Sequence, residues 1–507
     1  MSVAIYEPLK MIGGMGAAGN LALHDAGAGT GLALNFSMLN AAHYGVTHPV
    51  AQPESFVANA SFFKMLAAAS VEKVALDCRL ISSASSGGIL QSISVLCEPQ
   101  PITATVFIDA SYDGELMVLA GVDYTSGREA SSKYKESLAG ARKPTPSNKV
   151  VDALRNDGSI IKYVQNVSEL HSPGEEDTSL MAFQHRLCIS GDADRLPWKK
   201  PARYNRDDFL LFERYIDASG GTFDGFGWPP QKMSDFGYPG SKDKYTLCCG
   251  ISIAASDQPN LNRGWANASW EKKQTIIAEH TYFELGMFYF LSHDSKVPQK
   301  LRDEFNRYGL CPDEFAEFDH IPPQLYIRES NRMVSDFVMT QNNIAKPPHL
   351  EDSIATAHWW LDMHMTGKYA VPVGGGKYVV QLEGDFPYNS QTTPPPYDVP
   401  YRMIVPKRGT GINLLVPVCL SASHAAFAST RIETMLMGTG TAAGVAAKQL
   451  VDGSVPTVQD VNVSRVQEIL TGVFKQSIHA CAPLAGNPTG RAAAQKYSDA
   501  TEAEITI

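Results

Sequence analysis

Hydrophobic positions along the chain fall into two textures. Between residues 1 and 125, short runs rich in β-branched and aromatic residues (Val3–Glu7, Val74–Leu80, Ile89–Leu96 and Thr103–Asp109) are separated by Gly- and Ala-rich turns, a pattern that predicts strands in an α/β layer. From 130 to 400 the apolar spacing changes: it predicts helices over Trp270–Asp294 and Pro298–Tyr308, with a long loop-like stretch at Ser219–Lys244. Residues 411–450 return to the first texture, with a strand at Ile412–Val418, a small-residue turn and a helix from Thr430 to Leu450. That helix carries Gly438, Gly440, Ala442, Ala443, Gly444, Ala446 and Ala447; glycines cost helix propensity, so the run implies close backbone approach to something. The order predicts an α/β domain interrupted by a large insertion and completed near the C-terminus, followed by a polar, Ala- and Thr-rich tail.

Composition narrows the class. At 507 residues, with 44% apolar and 19% charged, the chain is large enough for two or three packed domains and too apolar for disorder. Lys plus Arg number 43 against 53 for Asp plus Glu, a net charge of −10 without blocks, which removes the basic footprint of a nucleic-acid binder. No run approaches the roughly 18 apolar residues of a membrane helix, and MSVAIYEPLK has no apolar signal core. The chain as written is therefore expected to be cytoplasmic, and secreted only if an N-terminal segment precedes Met1. The eight cysteines are scattered without a CxxC pair and are read as mostly free thiols. Five N-x-S/T sequons, at Asn35, Asn59, Asn166, Asn267 and Asn462, point the other way, to secretion. No fixed-period repeat is present.

Three runs carry candidate chemistry. Val3 to Glu7 ends on an acid and leads into Gly13-Gly14-Met15-Gly16-Ala17-Ala18-Gly19. The glycines spell GxGxxG but lie beyond the tight strand-to-helix turn that a dinucleotide fingerprint needs, whereas an acid closing a strand can accept ribose hydroxyls. An edge strand with a Gly-rich loop explains the run equally well. In the second run the strand ending at Asp109 continues through Ala110, Ser111 and Asp113, with Asp113 placed to cap a short helix that Gly121 stops; a capped turn alone would account for it. The third runs from Asn413 through Ser423 and His424 to Arg431 and Glu433. Here a buried strand meets a Ser/His turn and the positive end of a helix dipole, which can stabilise charge on a reduced ring. A hydrogen-bonded structural histidine is the competing reading of His424.

Taken in order, "EPLKMIGGM", "VFIDASYDGELMVLAGVDYTSGREASSKY", "PARYNRDDFLLFERYI", "QLYIRESNRMVSDFVMTQ", "DSIATAHWWLDMH", "YDVPYRMIVPK" and "NLLVPVCLSASHAAFASTRIETMLMGTGTAAG" span nearly the whole chain. By these segments the chain resembles the FAD-dependent oxidoreductases of the glutathione-reductase-like flavoprotein superfamily, in the branch often labelled xanthan-lyase-like. The resemblance implies an incomplete, discontinuous Rossmann-like FAD-binding domain (1–130 and 401–480), an inserted α+β substrate or cap domain (131–400) and a tail (481–507). It places Glu7 on the adenosine ribose, Gly13, Gly14 and Met15 along the adenosine and flavin side, and Asp109, Ala110 and Ser111 beside the pyrophosphate. Ser423, His424, Arg431, Gly440, Thr441 and Ala442 would lie near the flavin. Arg328, Glu329, Arg332, His358, His364, Tyr401 and Arg402 would face substrate, although inter-domain salt bridges or satisfied core groups explain each of these equally well.

Two departures stand out. Relatives begin with a strand and GxGxxG-type turn ahead of the counterpart of Glu7, and this chain begins at the second strand; and Thr441 stands where relatives usually have Gln. Gly374-Gly375-Gly376-Lys377 is a hairpin turn and not a phosphate loop, because Tyr378 follows the lysine. His358 and His364 are six apart and off a shared helical face, so no metal is expected. HExxH and GxSxG are absent. The expectation is an FAD-dependent oxidoreductase that exchanges a hydride between a small organic substrate and flavin N5, with His364 or His424 moving the proton and with no nucleic-acid or membrane partner. The alternative is a flavin-free relative doing acid–base isomerase or lyase chemistry, or only binding. Oligomeric state is left open.

Overall fold

The computed structural model describes residues 2–21, 29–225, 228–232, 243–247, 252–384 and 394–480. All four N-terminal runs form strands, most of them shorter than their apolar stretch. Ala4–Tyr6 pairs in parallel with Lys73–Ala75, while Leu80–Ser86 and Ile89–Val95 make an antiparallel hairpin over Gly87 and Gly88, both at positive φ. Phe107–Ile108 pairs in parallel with Leu414–Leu415 from the far end of the chain. This pairing brings together segments about 300 residues apart in the chain. Among the described residues the strands of the N-terminal runs lie in separate two-stranded sheets, and the largest sheet has four strands. The result is a mixed α/β fold of helices and small sheets.

Two large apolar cores hold these elements. One surrounds the helix Trp270–His293, N-capped by Ser269, whose Phe283, Met287, Phe288, Phe290 and Leu291 are fully buried. Trp198 stacks on Phe288 at 4.1 Å and Trp228 on Phe305 at 4.0 Å, a large apolar area for few side chains. The second core lies between Ser353–Ala357, which pairs antiparallel with Tyr397–Pro400, and the helix Glu433–Val451. The close approach expected of that helix is made at Gly438, where a Cβ would stand 3.2 Å from Ala355 Cβ. Ala442 is buried in this core. Met363 belongs to this second core and Met365 to the first, with His364 between them. Because Met363 and Met365 pack into different cores, the stretch carrying His364 runs along the seam between them.

Three expectations need correction. The cysteines are not mostly free: Cys78–Cys97 and Cys188–Cys311 are disulfides, and only Cys419 is free among the described residues; Cys248, Cys249 and Cys481 lie outside them. Asp113 does not cap the helix Glu115–Leu119, where Gly114 holds the N-cap position. Its carboxylate takes Trp265 Nε1 at 2.6 Å and Lys273 Nζ at 2.9 Å, because a buried cation offers it more than a single backbone N–H. The strand Ile412–Val418 shrinks to Leu414–Leu415, and the small-residue turn holds a helix of its own, His424–Thr430, ahead of the expected helix at Glu433–Val451. The Gly-rich hairpin is as expected, with Gly367–Gly374 turning into Lys377–Glu383. The tail 481–507 and much of Ser219–Lys244 lie outside the described residues. No described helix is long and apolar enough to cross a membrane.

The disulfide Cys188–Cys311 closes 123 residues. Replacing both cysteines by serine is expected to cost about 2–5 kcal/mol, read from urea denaturation of the purified double variant.

Candidate functional site

The seam between the cores buries charge. Asp257, fully buried, accepts Arg328 Nη2 at 3.0 Å on one oxygen and meets His364 Nδ1 at 2.7 Å with the other. On the far side of the imidazole, Nε2 stands 3.3 Å from Asp362 Oδ1. Asp362 in turn accepts Arg431 Nη2 at 2.7 Å, and Arg431 Nη1 donates to Tyr326 Oη at 2.7 Å. Burial opposes the charge on Asp257, but Arg328 and His364 outweigh it and hold the carboxyl below its usual range. The same contest at Asp362, between burial and the neighbouring His364 and Arg431, ends far below that range. Both carboxylates are therefore ionised, and one imidazole is held between them. Three guanidiniums, of Arg186, Arg328 and Arg431, lie over the Tyr326 ring at 5.1, 4.4 and 5.6 Å, a desolvated cation–π arrangement.

Lys368 completes the cluster. Its ammonium is fully buried and donates to Gln258 Oε1 at 2.9 Å. Burial pulls its pKa down to about 7, with Asp257 opposing. A second His–carboxylate pair sits close by in sequence: Glu329 Oε2 lies 2.9 Å from His424 Nδ1 and 3.1 Å from Arg332 Nη1. Arg332 also binds Glu129, and Glu129 accepts the His424 backbone N–H. His424 is fully buried, with Nε2 free of any hydrogen bond. Ser423 caps its helix and donates to Glu136.

The other residues named from the sequence divide clearly. Glu7 accepts the Leu9 N–H at 2.9 Å, and burial lifts its carboxyl to about 7 against that bond. Gly13 and Gly14, both at positive φ, are pressed by the rings of Phe62 and Tyr112, so side chains rather than a phosphate account for their lack of a Cβ. Met15 is buried and donates its N–H to Tyr112 Oη at 2.8 Å. Asp109 ties its own turn, accepting from Met117 N at 2.9 Å and from Ser111 Oγ at 2.7 Å, while Ala110 is exposed. Thr441 Oγ1 bonds back to Met437 O, and Gly440 has open space where its Cβ would stand. Tyr401 packs in a core with its hydroxyl on Val458 O, and Arg402 is half exposed beside Asp352 and Phe337. These two, with exposed His358, stand apart from the cluster. Arg332 takes the role of a core salt bridge.

Asp257, Asp362, Tyr326 and Lys368 were not singled out from the sequence. Asp362 had a signal: it lies two residues before His364, and in extended chain such neighbours share a side. Asp257 had none, because nothing in Ser256-Asp257-Gln258-Pro259 announces a buried acid.

The resemblance puts the flavin near Met15, Ser423, His424, Arg431, Gly440, Thr441 and Ala442, and of these Arg431 borders an enclosed space. The space there is lined by Tyr112, Tyr326, Val418, Phe427, Arg431 and Glu433 and encloses about 10 Å³, room for one water at most. Tyr112 fills it by donating to Glu433 Oε1 at 2.7 Å. The polar set suits a flavin, with an acid at a strand end and a buried imidazole nitrogen left open. The volume does not: ligand pockets run to hundreds of Å³, so the ring does not fit this conformation.

The site thus sets a buried imidazole between two ionised carboxylates, beside a lysine whose pKa burial pulls down to about 7, in an α/β protein. The chain belongs to the FAD dependent oxidoreductase family, whose model matches residues 1–470. No curated protein and no solved structure matches it.

Two measurements probe the site. Unfolded Lys368 titrates near 10.5 and folded Lys368 near 7, so between those values the unfolded chain holds a proton that the native chain lacks, and stability rises with pH. Lys368→Met therefore gains most below neutrality: its stability relative to wild type is expected to be higher at about pH 6 than at about pH 10, by on the order of a few kcal/mol. Asp257→Leu, which leaves Arg328 buried without its carboxylate, is expected to cost about 3–5 kcal/mol. Adding Arg328→Met should return part of that in a double-mutant cycle followed by urea unfolding.

Proposed function

We propose that this protein performs flavin-dependent redox chemistry on a small organic substrate, with His364 as the residue that takes or returns the substrate's proton. One observation carries the reading: the family match over residues 1–470 coincides with a complete Asp257–His364–Asp362 relay. A carboxylate on Nδ1 fixes the tautomer and orientation of the imidazole, and Nε2, 3.3 Å from Asp362, exchanges the proton with a substrate that displaces that contact. Arg328 and Arg431 keep the two acids ionised, so the imidazolium formed by proton uptake is stabilised on both sides. His424, paired with Glu329 and open at Nε2, is the second group able to hold a proton. FAD, when bound, supplies the two-electron partner that such a reaction requires.

Because the ring site is closed, Tyr112 must leave Glu433 before a ring can enter. The parallel pairing of Phe107–Ile108 with Leu414–Leu415 supports a cofactor domain built from 1–130 and 401–480 and covered by 131–400. The xanthan-lyase-like branch is part of the proposal and rests on the quoted motifs. Two disulfides and five sequons favour an oxidising compartment over the cytosol.

A second reading, acid–base chemistry without flavin, is favoured by the cavity of about 10 Å³. One experiment separates the two. Purified wild type and Tyr112→Ala are titrated with FAD, and flavin absorbance is followed as small alcohols, amines and hydroxy acids are added. The redox reading expects FAD to be retained, several-fold more tightly by Tyr112→Ala, and His364→Asn to slow substrate-dependent bleaching by roughly 10²–10⁴-fold with FAD affinity unchanged. Folded protein that takes up FAD in neither form would leave the flavin-free reading standing.

A further inference from the structure

A different cluster stands where the strand Tyr397–Pro400 meets the C-terminal segment. Asp398 Oδ2 lies 3.1 Å from His479 Nδ1 and 3.3 Å from His349 Nδ1, and all three ligand atoms fall within 4.8 Å of one another. The same oxygen also accepts Leu350 N at 3.0 Å, while Oδ1 accepts Ala480 N at 2.8 Å. If both imidazoles pointed N–H groups at Oδ2, three donors would crowd an oxygen with about two lone-pair sites. Two imidazole nitrogens and one carboxylate oxygen gathered this closely instead suit a cation.

The dimensions agree. Ligands at about 2.0–2.2 Å around a tetrahedral ion stand roughly 3.3–3.5 Å apart, close to the observed 3.1 and 3.3 Å. The two rings lie with centroids 4.6 Å apart, tilted by 42°. The frame is firm where it needs to be. Asp398 is buried and paired with Thr356 in the sheet, and two backbone N–H groups orient its carboxylate, the support that metal ligands commonly receive. His349 follows Pro347 and Pro348. The segment before His479 is tied to the sheet by Gln476 Nε2 on Ile354 O at 2.7 Å and by Ser353 on Ile478 O. The histidines are 69% and 38% exposed, which leaves the fourth position to water.

We propose that His349, Asp398 and His479 form a binding site for a divalent transition-metal ion, zinc by ligand type, that clamps the C-terminal segment to the strand Tyr397–Pro400. Two imidazoles with one carboxylate select zinc, copper or nickel over calcium or magnesium, which take oxygen ligands. The ion binds the folded chain because only folding brings residues 349, 398 and 479 together, so it also stabilises that chain.

The test uses untagged full-length protein treated with EDTA and dialysed. Titration with ZnCl₂ by calorimetry is expected to show one site of micromolar or tighter affinity, and CoCl₂ to give the visible absorbance of a tetrahedral ion. Thermal unfolding should shift upward with zinc. Because Asp398 also holds backbone, Asp398→Asn could fail to fold; His349→Ala and the double variant His349→Ala, His479→Ala alter exposed side chains and test the same claim. A loss of affinity of at least tenfold in His349→Ala supports the site. Absence of stoichiometric binding, or binding unchanged in the double variant, overturns it.

Discussion

Burying ionised groups at the seam of two cores is the constraint on which the rest of this structure depends. Asp257 and Asp362 cannot be charged there unless each meets a cation, because an uncompensated buried charge costs several kcal/mol. Arg328, His364 and Arg431 answer that demand from three distant parts of the chain. Their positions are set in turn by packing. Met363 and Met365 anchor the flanking chain in the two cores, and the three guanidiniums lie over the Tyr326 ring. The same constraint that stabilises the fold leaves an imidazole with a carboxylate at each nitrogen.

Tyr112 links that seam to the N-terminal segment. It receives the Met15 N–H and donates to Glu433, so one phenol joins the first residues, the Asp109 turn and the last long helix. Its ring is also what removes the Cβ from Gly14 and the volume from the ring site. Family membership defines redox chemistry as the context, whereas what these residues do follows from their own geometry.

Much of the architecture was legible. The N-terminal runs became strands, Trp270–His293 a helix, and the Gly-rich stretch after Gly374 a hairpin, because each signal is local: period, cap or turn chemistry. His364, His424, Arg328 and Arg431 were legible as polar residues inside apolar or motif-rich segments. Their partners were not. Asp257 meets both Arg328, 71 residues on, and His364, 107 residues on, and no spacing rule links such positions. Disulfide pairing failed for the same reason, since Cys188 and Cys311 are 123 residues apart, and the convergence of His349 and His479 on Asp398 left no linear trace.

By itself, then, the order of residues determined which segments are helical or extended and which family the chain resembles. Those properties depend on neighbours within a few positions or on motifs in sequence order. Only the tertiary structure decided which acid meets which base, that Asp109, Gly13 and Gly14 serve their own turns and neighbours, and that the ring site is shut. The physical reason is that charge pairing and cavity volume are set by distances between atoms brought together in space, and those distances exist only once both cores have closed.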